Sequence, residues 1–339
     1  MTSAYQWIYS AKKSNERKTV LLLFLFPLFL YIMLYFFAVI SGTGGSQHTT
    51  QSVNQIFFIY LLPFLWICLL ITFFWQKGVI FWFTGAREIT RKENPEIYNL
   101  VENLCISKGL STPKIWVINT PGLNAFATGR RTSDSWIVFT SGLLQKLNKR
   151  EVEAVAAHEL SHIINKDSML MMVIIIFIGC ITSIGQTLSR IGKIGDYQNN
   201  HYRLFNNSSK DKGSILGIFL VIWGIFLFLG YFVYPLLKFA ISQKREFIAD
   251  LGSIELTKDA PALISALQKI AENSRVPRVA PNVAMIFIAS PNSITKTIKD
   301  VPQFQITEAK NREIEIEKNT SIQDTHPSID ERISALKNY

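Results

Sequence analysis

Four long apolar runs dominate the pattern of hydrophobic and polar positions along the chain. They are Val20 to Ile40, Ile56 to Trp75, Met169 to about Leu188, and Ile215 to Leu237, and none contains a charged residue. A bilayer-spanning α-helix needs roughly 20 apolar residues, and uncharged runs of that length are rare in soluble domains. Thr182, Ser183 and Gln186 interrupt the end of the third run, which fits either a transmembrane or a re-entrant helix. The pattern predicts a polytopic α-helical membrane protein with about four transmembrane helices.

The segments between and after these runs contain short helical and β-type patterns of hydrophobic and polar residues, which are typical of a folded α+β domain. Segment 76–168 contains a helical pattern after Asn94-Pro95, short β-type runs at Ile115–Ile118, around Asn124–Thr128 and at Trp136–Thr140, and a helix from about Lys149 to Asn165. Segment 238–339 contains a further helix, by position and composition, soon after the fourth run. We expect the two segments to form one α+β domain.

The distribution of Lys and Arg predicts the orientation in the membrane. Four basic residues precede Val20 and none occurs in the loop 41–55, whereas twelve occur in segment 76–168. Cytoplasmic segments carry the excess of positive charge. Both termini and segment 76–168 are therefore expected in the cytoplasm, and the loop 41–55 outside. The five basic residues of the loop 189–214 fit an external position less well.

Composition excludes several classes of protein. The chain is 48 % hydrophobic and 18 % charged, with a mean hydropathy of +0.20, which is incompatible with intrinsic disorder. The net charge of +10 contains no basic block interleaved with aromatic residues, so we expect no nucleic-acid binding and expect the lipid bilayer as a partner. The three cysteines lack a C-x-x-C pair and cannot form a disulfide framework.

One helical segment carries a metal-binding pattern, His158-Glu159-Leu160-Ser161-His162. Residues four apart lie on one face of a helix, so both imidazoles can bind the same ion. Zn²⁺ prefers four ligands, so two His and a third protein ligand leave one position for water. Glu159 can take the proton of that water without binding the metal. A separate apolar face is available for packing: Val152, Val155, Ala156, Leu160 and Ile163.

A third ligand is expected from the helix that follows the fourth apolar run. Glu246 and Asp250 lie four residues apart there, so both can face the metal. We expect Glu246 to bind the ion and Asp250 to accept a hydrogen bond from a ligand imidazole, which fixes its tautomer. The alternative is an acidic pair on a solvated face. The third and fourth runs separate His162 from Glu246. Because two crossings return the chain to the side from which it started, both residues are expected on the same side of the membrane.

These residues resemble the HtpX family of membrane zinc metallopeptidases, within the gluzincin group. The resemblance consists of H-E-x-x-H, followed after two apolar runs by E-x-x-x-D, and it covers nearly the whole chain. It implies an endopeptidase with a cytoplasmic gluzincin-type α+β domain, one Zn²⁺ per chain and Glu159 as the catalytic base. It also implies polypeptide substrates, chiefly damaged or misassembled membrane proteins, and a role in quality control at the bacterial inner membrane.

Two further segments match this family. Asn124-Ala125-Phe126-Ala127-Thr128-Gly129 resembles its N-A-F-A-x-G strand, whose exposed edge would hold an extended substrate by backbone pairing. His326-Pro327 and Arg332 resemble its H-P-x-x-x-x-R element, and in the related CAAX prenyl proteases these positions are placed to stabilise the oxyanion. A plain core strand and a helix-capping region are the alternatives for the two segments. Asp167 also matches, and we expect it to terminate the zinc helix together with Asn165.

The resemblance and the apolar runs together divide the chain into nine segments. They are an N-terminal cytoplasmic tail 1–19, a transmembrane helix 20–40, an external loop 41–55, a transmembrane helix 56–75, a first catalytic part 76–168, a transmembrane or re-entrant helix 169–188, a loop 189–214, a transmembrane helix 215–237, and a second catalytic part 238–339.

Two other functions fit parts of the pattern. A CAAX-type prenyl peptidase would use the same site, although it needs more membrane spans around a lipid-accommodating chamber. A non-enzymatic membrane scaffold or transporter would hold a structural zinc ion. Structural zinc sites are closed by four Cys or His ligands, however, and no ionisable residue of a transport path lies within the four runs.

Overall fold

The structure is a computed structural model of the 339-residue chain. It describes residues 84–129, 132–175, 244–276, 286–289 and 327–337 and, nearer the N-terminus, residues 13–14, 17–25, 27–28, 31, 63, 66–67, 70, 74 and 78. The four apolar runs lie wholly or mostly outside these residues, as do the loops 41–55 and 189–214. His326 also lies outside them. Among the described residues, no helix has both the length and the apolar character needed to cross a membrane.

The chain divides into two compact units. One unit comprises residues 18–75 and 173–240, and within it the ring of Phe24 lies 5.1 Å from that of Trp66. The other comprises residues 1–17, 76–172 and 241–339 and contains all the strands described below. The second unit is therefore built from chain segments that are far apart in sequence.

A four-stranded sheet forms one layer of this second unit. Its strands are β1 (Arg87–Glu88), β2 (Lys114–Ile118), β3 (Ala125–Gly129) and β4 (Ser135–Thr140), in the spatial order β1-β2-β4-β3. β2 and β4 are parallel, and the other two pairs are antiparallel. The three predicted strands are confirmed to within about one residue, because β-branched and aromatic side chains fit a half-buried pleated surface. β3 lies at the edge of the sheet.

Six helices whose bounds lie within the described residues accompany the sheet. They are α1 (Pro95–Ile106), α2 (Ser141–Lys146), α3 (Lys149–Ile164), α4 (Lys244–Thr257), α5 (Ala260–Glu272) and α6 (Ile329–Lys337). The predicted helices after Asn94-Pro95, from Lys149 and around Glu246 are confirmed. Asn94 caps α1, with Pro95 in its first turn, and Asn148 and Glu151 form a capping box at the start of α3. These caps explain why the helix starts can be predicted from sequence.

Helix α3 lies at the centre of the unit and packs against β3, α4 and α5. Its predicted apolar face is buried, but so are several of its polar residues, including His158 and Glu159. Helix α4 approaches α3 closely at Gly252, where a Cβ atom would collide with Ser161 Oγ. Beside it, the Ser253 hydroxyl donates to the Ala154 carbonyl at 2.7 Å. This contact brings the first turns of α4 against the residues of α3 predicted to bind metal.

Candidate metal centre

Helix α3 presents the two histidines to the same point. The His158 and His162 rings are nearly perpendicular, with centroids 4.8 Å apart, and their Nε2 atoms are 3.2 Å apart. Both Nδ1 atoms face carboxylates instead, at 2.9 Å and 3.2 Å. Each imidazole is therefore held with Nε2 toward its partner, as the i, i+4 spacing predicts.

Helix α4 contributes the carboxylate of Glu246 to this point. One of its oxygens lies 3.6 Å from His158 Nε2, and the other lies 3.6 Å from His162 Nε2. Ligand atoms bound at ~2.0–2.1 Å to one tetrahedral zinc ion are about 3.3–3.4 Å apart. The three separations of 3.2 Å, 3.6 Å and 3.6 Å bracket that value, so these residues fit a zinc ion. They form a group that could hold a metal.

Asp250 lies behind His158, one turn along α4 from Glu246. Its Oδ1 atom is 2.9 Å from His158 Nδ1, so the imidazole can donate to this carboxylate while Nε2 is left for metal. Arg332 of α6 donates to both oxygens of Asp250, from Nε at 2.9 Å and from Nη2 at 2.6 Å. Burial alone raises the pKa of Asp250, but the guanidinium of Arg332 holds it below its ordinary value. Asp250 thus stays ionised inside the protein.

His162 has an equivalent partner that the sequence analysis assigned to helix termination. Asp167 Oδ2 lies 3.2 Å from His162 Nδ1, and Arg245 Nε lies 3.6 Å from Asp167 Oδ1. Burial lowers the pKa of His162, but the Asp167 hydrogen bond and nearby carboxylates raise it to about 9. Asp167 therefore orients a candidate ligand. The missed signal was its position one turn past His162, where a side chain can fold back onto the ring.

Glu159 is buried between the two histidines along α3 and contributes nothing to the ligand set. Its side chain is 1 % exposed, and within the described part of the chain its Oε1 atom has no hydrogen-bond partner. Burial raises the pKa of this carboxyl. A buried, unpartnered carboxylate oxygen costs free energy unless a ligand satisfies it, which indicates that the site is built for an additional polar group.

The strand predicted to bind substrate is at the edge of the sheet, but its residues are buried rather than exposed. Exposure falls between 0 % and 5 % for Asn124, Ala125, Phe126 and Ala127. The Asn124 side chain donates to the carbonyls of Ser274 and Ala289, both at 2.9 Å. Asn124 is therefore occupied with the protein's own backbone in this structure.

Arg332 is the last predicted residue that the structure places near the centre. Its guanidinium is fully buried, holds Asp250, donates from Nη1 to the Ile288 carbonyl at 3.0 Å and lies 3.4 Å from Glu246 Oε2. These contacts position it among the carboxylates behind the ligands. The prediction that Arg332 and His326 stabilise an oxyanion stays a prediction.

A protein-family match includes every described residue of the candidate site. The family model described as peptidase family M48 matches residues 91–339, which include every candidate ligand and carboxylate described above. The chain belongs to peptidase family M48. As an M48 chain it is a metallopeptidase, and His158, His162 and Glu246 form a group that could hold its metal.

Similar proteins extend over the rest of the M48 chain. A protease HtpX homolog of Bacteroides fragilis strain YCH46 is 34 % identical over 99 % of both chains, and one of Dictyoglomus turgidum is 34 % identical over 97 % of this chain and 94 % of its own. The crystal structure of Ste24p from S. mikatae matches 97 % of this chain and 67 % of its own with 18 % identity and a TM-score of 0.46. The two HtpX homologs, at 34 % identity over nearly the full length, confirm the resemblance to the HtpX family.

Proposed function

We propose that this M48 metallopeptidase is a zinc-dependent endopeptidase of the bacterial inner membrane that cleaves misfolded or damaged membrane proteins. One observation carries the catalytic part of the proposal. The Nε2 atoms of His158 and His162 and the carboxylate of Glu246 have the mutual spacing of tetrahedral zinc ligands, beside the unpartnered oxygen of Glu159. Two His, one Glu and an adjacent carboxyl form the donor set of a catalytic site, whereas structural zinc sites use four Cys or His.

A zinc ion bound by these three residues supplies a Lewis acid that polarises the scissile carbonyl and lowers the pKa of water. The protein keeps the two imidazoles in the tautomer that such binding needs. Asp250 and Asp167 accept from the Nδ1 side, so each Nε2 points toward the other candidate ligands and can bind the ion once it has released its own proton.

Glu159 moves the proton during hydrolysis. It accepts a proton from the attacking water as the new C–O bond forms at the scissile carbonyl, and it gives that proton to the leaving amine as the C–N bond breaks. The second proton of the water passes from the new carboxyl group to the amine, so the products are one carboxylate and one ammonium group. The raised pKa of Glu159 suits a group that both accepts and donates a proton near neutral pH.

The substrate is proposed to lie as an extended strand along β3. The backbone groups of an edge strand can pair with a peptide irrespective of its side chains, which suits an enzyme that acts on many unfolded segments. Ala127 and Gly129 face away from β4 and are the residues proposed to pair with the peptide.

The membrane location rests on the apolar runs and on the near full-length similarity to protease HtpX homologs. Runs of about 20 uncharged residues fit a bilayer. The positive-inside rule places both termini and the catalytic site in the cytoplasm. A site at that face would meet polypeptides as they leave the membrane.

The test is a Glu159→Gln variant of the purified full-length chain, assayed on an unfolded membrane protein. We expect cleavage to fall by about 100-fold or more, because the proton acceptor is lost, while one zinc per chain remains bound. Glu153→Gln is the matched control, since it neutralises a half-buried carboxylate on the same helix. Wild-type cleavage by the Glu159 variant would exclude this mechanism.

Two further arms separate the rival functions. A strong chelator should abolish cleavage, and a chain that retains its activity without metal would contradict the zinc assignment. Unmodified peptides should be cleaved as well as prenylated ones. A strict requirement for the prenyl group would indicate a CAAX-type peptidase instead.

A further inference from the structure

The outer edge of β3, opposite β4, is partly paired with another segment of the same chain. Residues 286–289, called the edge segment here, lie alongside the start of the strand. The Ile288 amide donates to the Ala125 carbonyl at 2.9 Å, and the Ala289 amide donates to Asn124 Oδ1 at 3.3 Å. The Asn124 amide group donates in return to the Ala289 carbonyl at 2.9 Å. The edge segment thus makes the kind of contact expected of a bound peptide.

The edge segment is also held from its other side. Arg332 donates to the Ile288 carbonyl at 3.0 Å, and this guanidinium is itself fixed by two hydrogen bonds to Asp250. The Phe287 ring packs edge-on against Phe126 with centroids 4.8 Å apart, and both rings are fully buried. Removing the segment would therefore expose apolar area and leave several buried polar groups unpaired.

The strand's hydrogen-bonding alternation shows which residues remain for a substrate. The Asn124 carbonyl accepts from the Thr140 amide of β4. The backbone N–H and C=O groups of Asn124, Phe126 and Thr128 therefore point toward β4, and those of the residues between them point away from it. Ala125, Ala127 and Gly129 face the other way. The edge segment takes the carbonyl of Ala125. On that outer side of the strand, no hydrogen bond within the described residues joins the backbone of Ala127 to another group.

We propose that the edge segment is a specificity determinant that closes the substrate-binding edge of β3 at Ala125. A peptide then pairs with β3 at Ala127 and Gly129. Its residues on the Ala125 side of Ala127 find no further backbone partner on the strand. The segment thereby fixes the reach of the enzyme along the peptide on one side of the scissile bond. This inference rests on the proposed function, in which peptides bind along β3.

A backbone N-methylation scan of a cleaved peptide tests the proposal. Each N-methyl group removes one amide donor, and where that donor pairs with the strand kcat/KM should fall about fivefold. In the wild-type chain, the position opposite Ala127 should be sensitive. The position two residues further, opposite Ala125, should be insensitive because the carbonyl there is already occupied.

The Ile288→Pro variant removes the amide that occupies Ala125 and should make that second position sensitive. Ile288→Val is the matched control, because it keeps the amide and most of the side chain and should give the wild-type pattern. Thermal unfolding of both chains checks that each is folded. Identical N-methylation scans for the folded wild-type and Ile288→Pro chains would overturn the inference.

A second measurement needs no substitution in the edge segment. Hydrogen exchange of the 287–289 amides is followed in Glu159→Gln with and without bound peptide. Unchanged protection supports a fixed boundary, whereas loss of protection on peptide binding shows that substrate displaces the segment and overturns the proposal. A wild-type chain that cleaves no peptide overturns the proposed function itself, so the two failures are distinguishable.

Discussion

Each candidate histidine ligand lies next to an aspartate, and each aspartate lies next to an arginine. His158 donates toward Asp250, which Arg332 grips, and His162 faces Asp167, which lies beside Arg245. Alternating charges offset the cost of burying each group alone. The carboxylates also make the imidazoles stronger donors to a metal and fix their rotation.

This arrangement predicts the effect of removing either carboxylate charge. Asp250→Asn and Asp167→Asn should each weaken zinc binding about 10–100-fold, because the imidazole loses its oriented acceptor. A competition titration with a chromophoric chelator measures the change.

Asp330→Asn is the control for both variants, since Asp330 is an exposed carboxylate on α6. It should bind zinc like the wild-type chain. Equal affinity of the Asp167 variant and the wild type would mean that Asp167 only terminates the helix.

The candidate ligands are predictable from sequence spacing, but part of their support is not. The H-E-x-x-H spacing makes the His pair predictable, because four residues are about one helical turn. Asp167 lies one turn past His162, but its position in the sequence indicates helix termination. Arg245 was missed because its contact with Asp167 depends on the packing of α4, which no local spacing encodes. Arg332 was predicted near the centre, but its hold on Asp250 follows only from the placement of α6.

At the scale of elements, helix α3 is fixed by its first turn as well as by its core. The Glu151 carboxylate accepts from the Asn148 amide at 2.8 Å in the capping box, from Ser265 Oγ at 2.6 Å and from Lys269 Nζ at 2.8 Å. The last two residues belong to α5. A single carboxylate therefore caps the helix that carries the candidate ligands His158 and His162, and joins it to α5.

The contribution of Glu151 should depend on pH. Burial alone raises its pKa, but the hydrogen bonds with Lys269, Ser265 and Asn148 lower it below its ordinary value of 4.5. The ionised form is thus favoured in the folded state, so its stabilisation is fully present above about pH 4.5 and is lost as the pH falls through the lower folded pKa.

We expect Glu151→Gln to reduce the free energy of unfolding by about 1–2 kcal/mol at pH 7 and by less at pH 3.5. Denaturant unfolding at both pH values measures the difference, with Glu153→Gln as a control that removes a carboxylate outside the cap. A difference that stays constant with pH would show that the charge of Glu151 is not what stabilises the helix.

At the scale of the molecule, the candidate metal centre joins chain segments that lie far apart in sequence. His158 and His162 precede the third apolar run, and Glu246, Asp250 and Arg332 follow the fourth. If both runs cross the membrane, the two halves of the site meet on one face.

Accessibility labelling tests this topology. In a chain with Cys68, Cys105 and Cys180 replaced, a cysteine introduced by Ser208→Cys should react with an impermeant maleimide in intact cells. A cysteine from Ser111→Cys, in an exposed loop of the catalytic unit, should react only after lysis. Labelling of the Ser208 variant only after lysis would indicate a re-entrant hairpin and not two crossings.

The sequence by itself determined the local features of this protein. Periodicity and capping residues predicted the helices and strands, and the i, i+4 spacing predicted that His158 and His162 share a ligand face. Tertiary structure decided what depends on contacts between distant segments. The close Gly252–Ser161 contact brings α4 onto α3, Arg332 locks Asp250, and the edge segment fills the start of β3. Such contacts depend on how whole elements pack, and a residue's immediate neighbours in sequence carry no information about that packing.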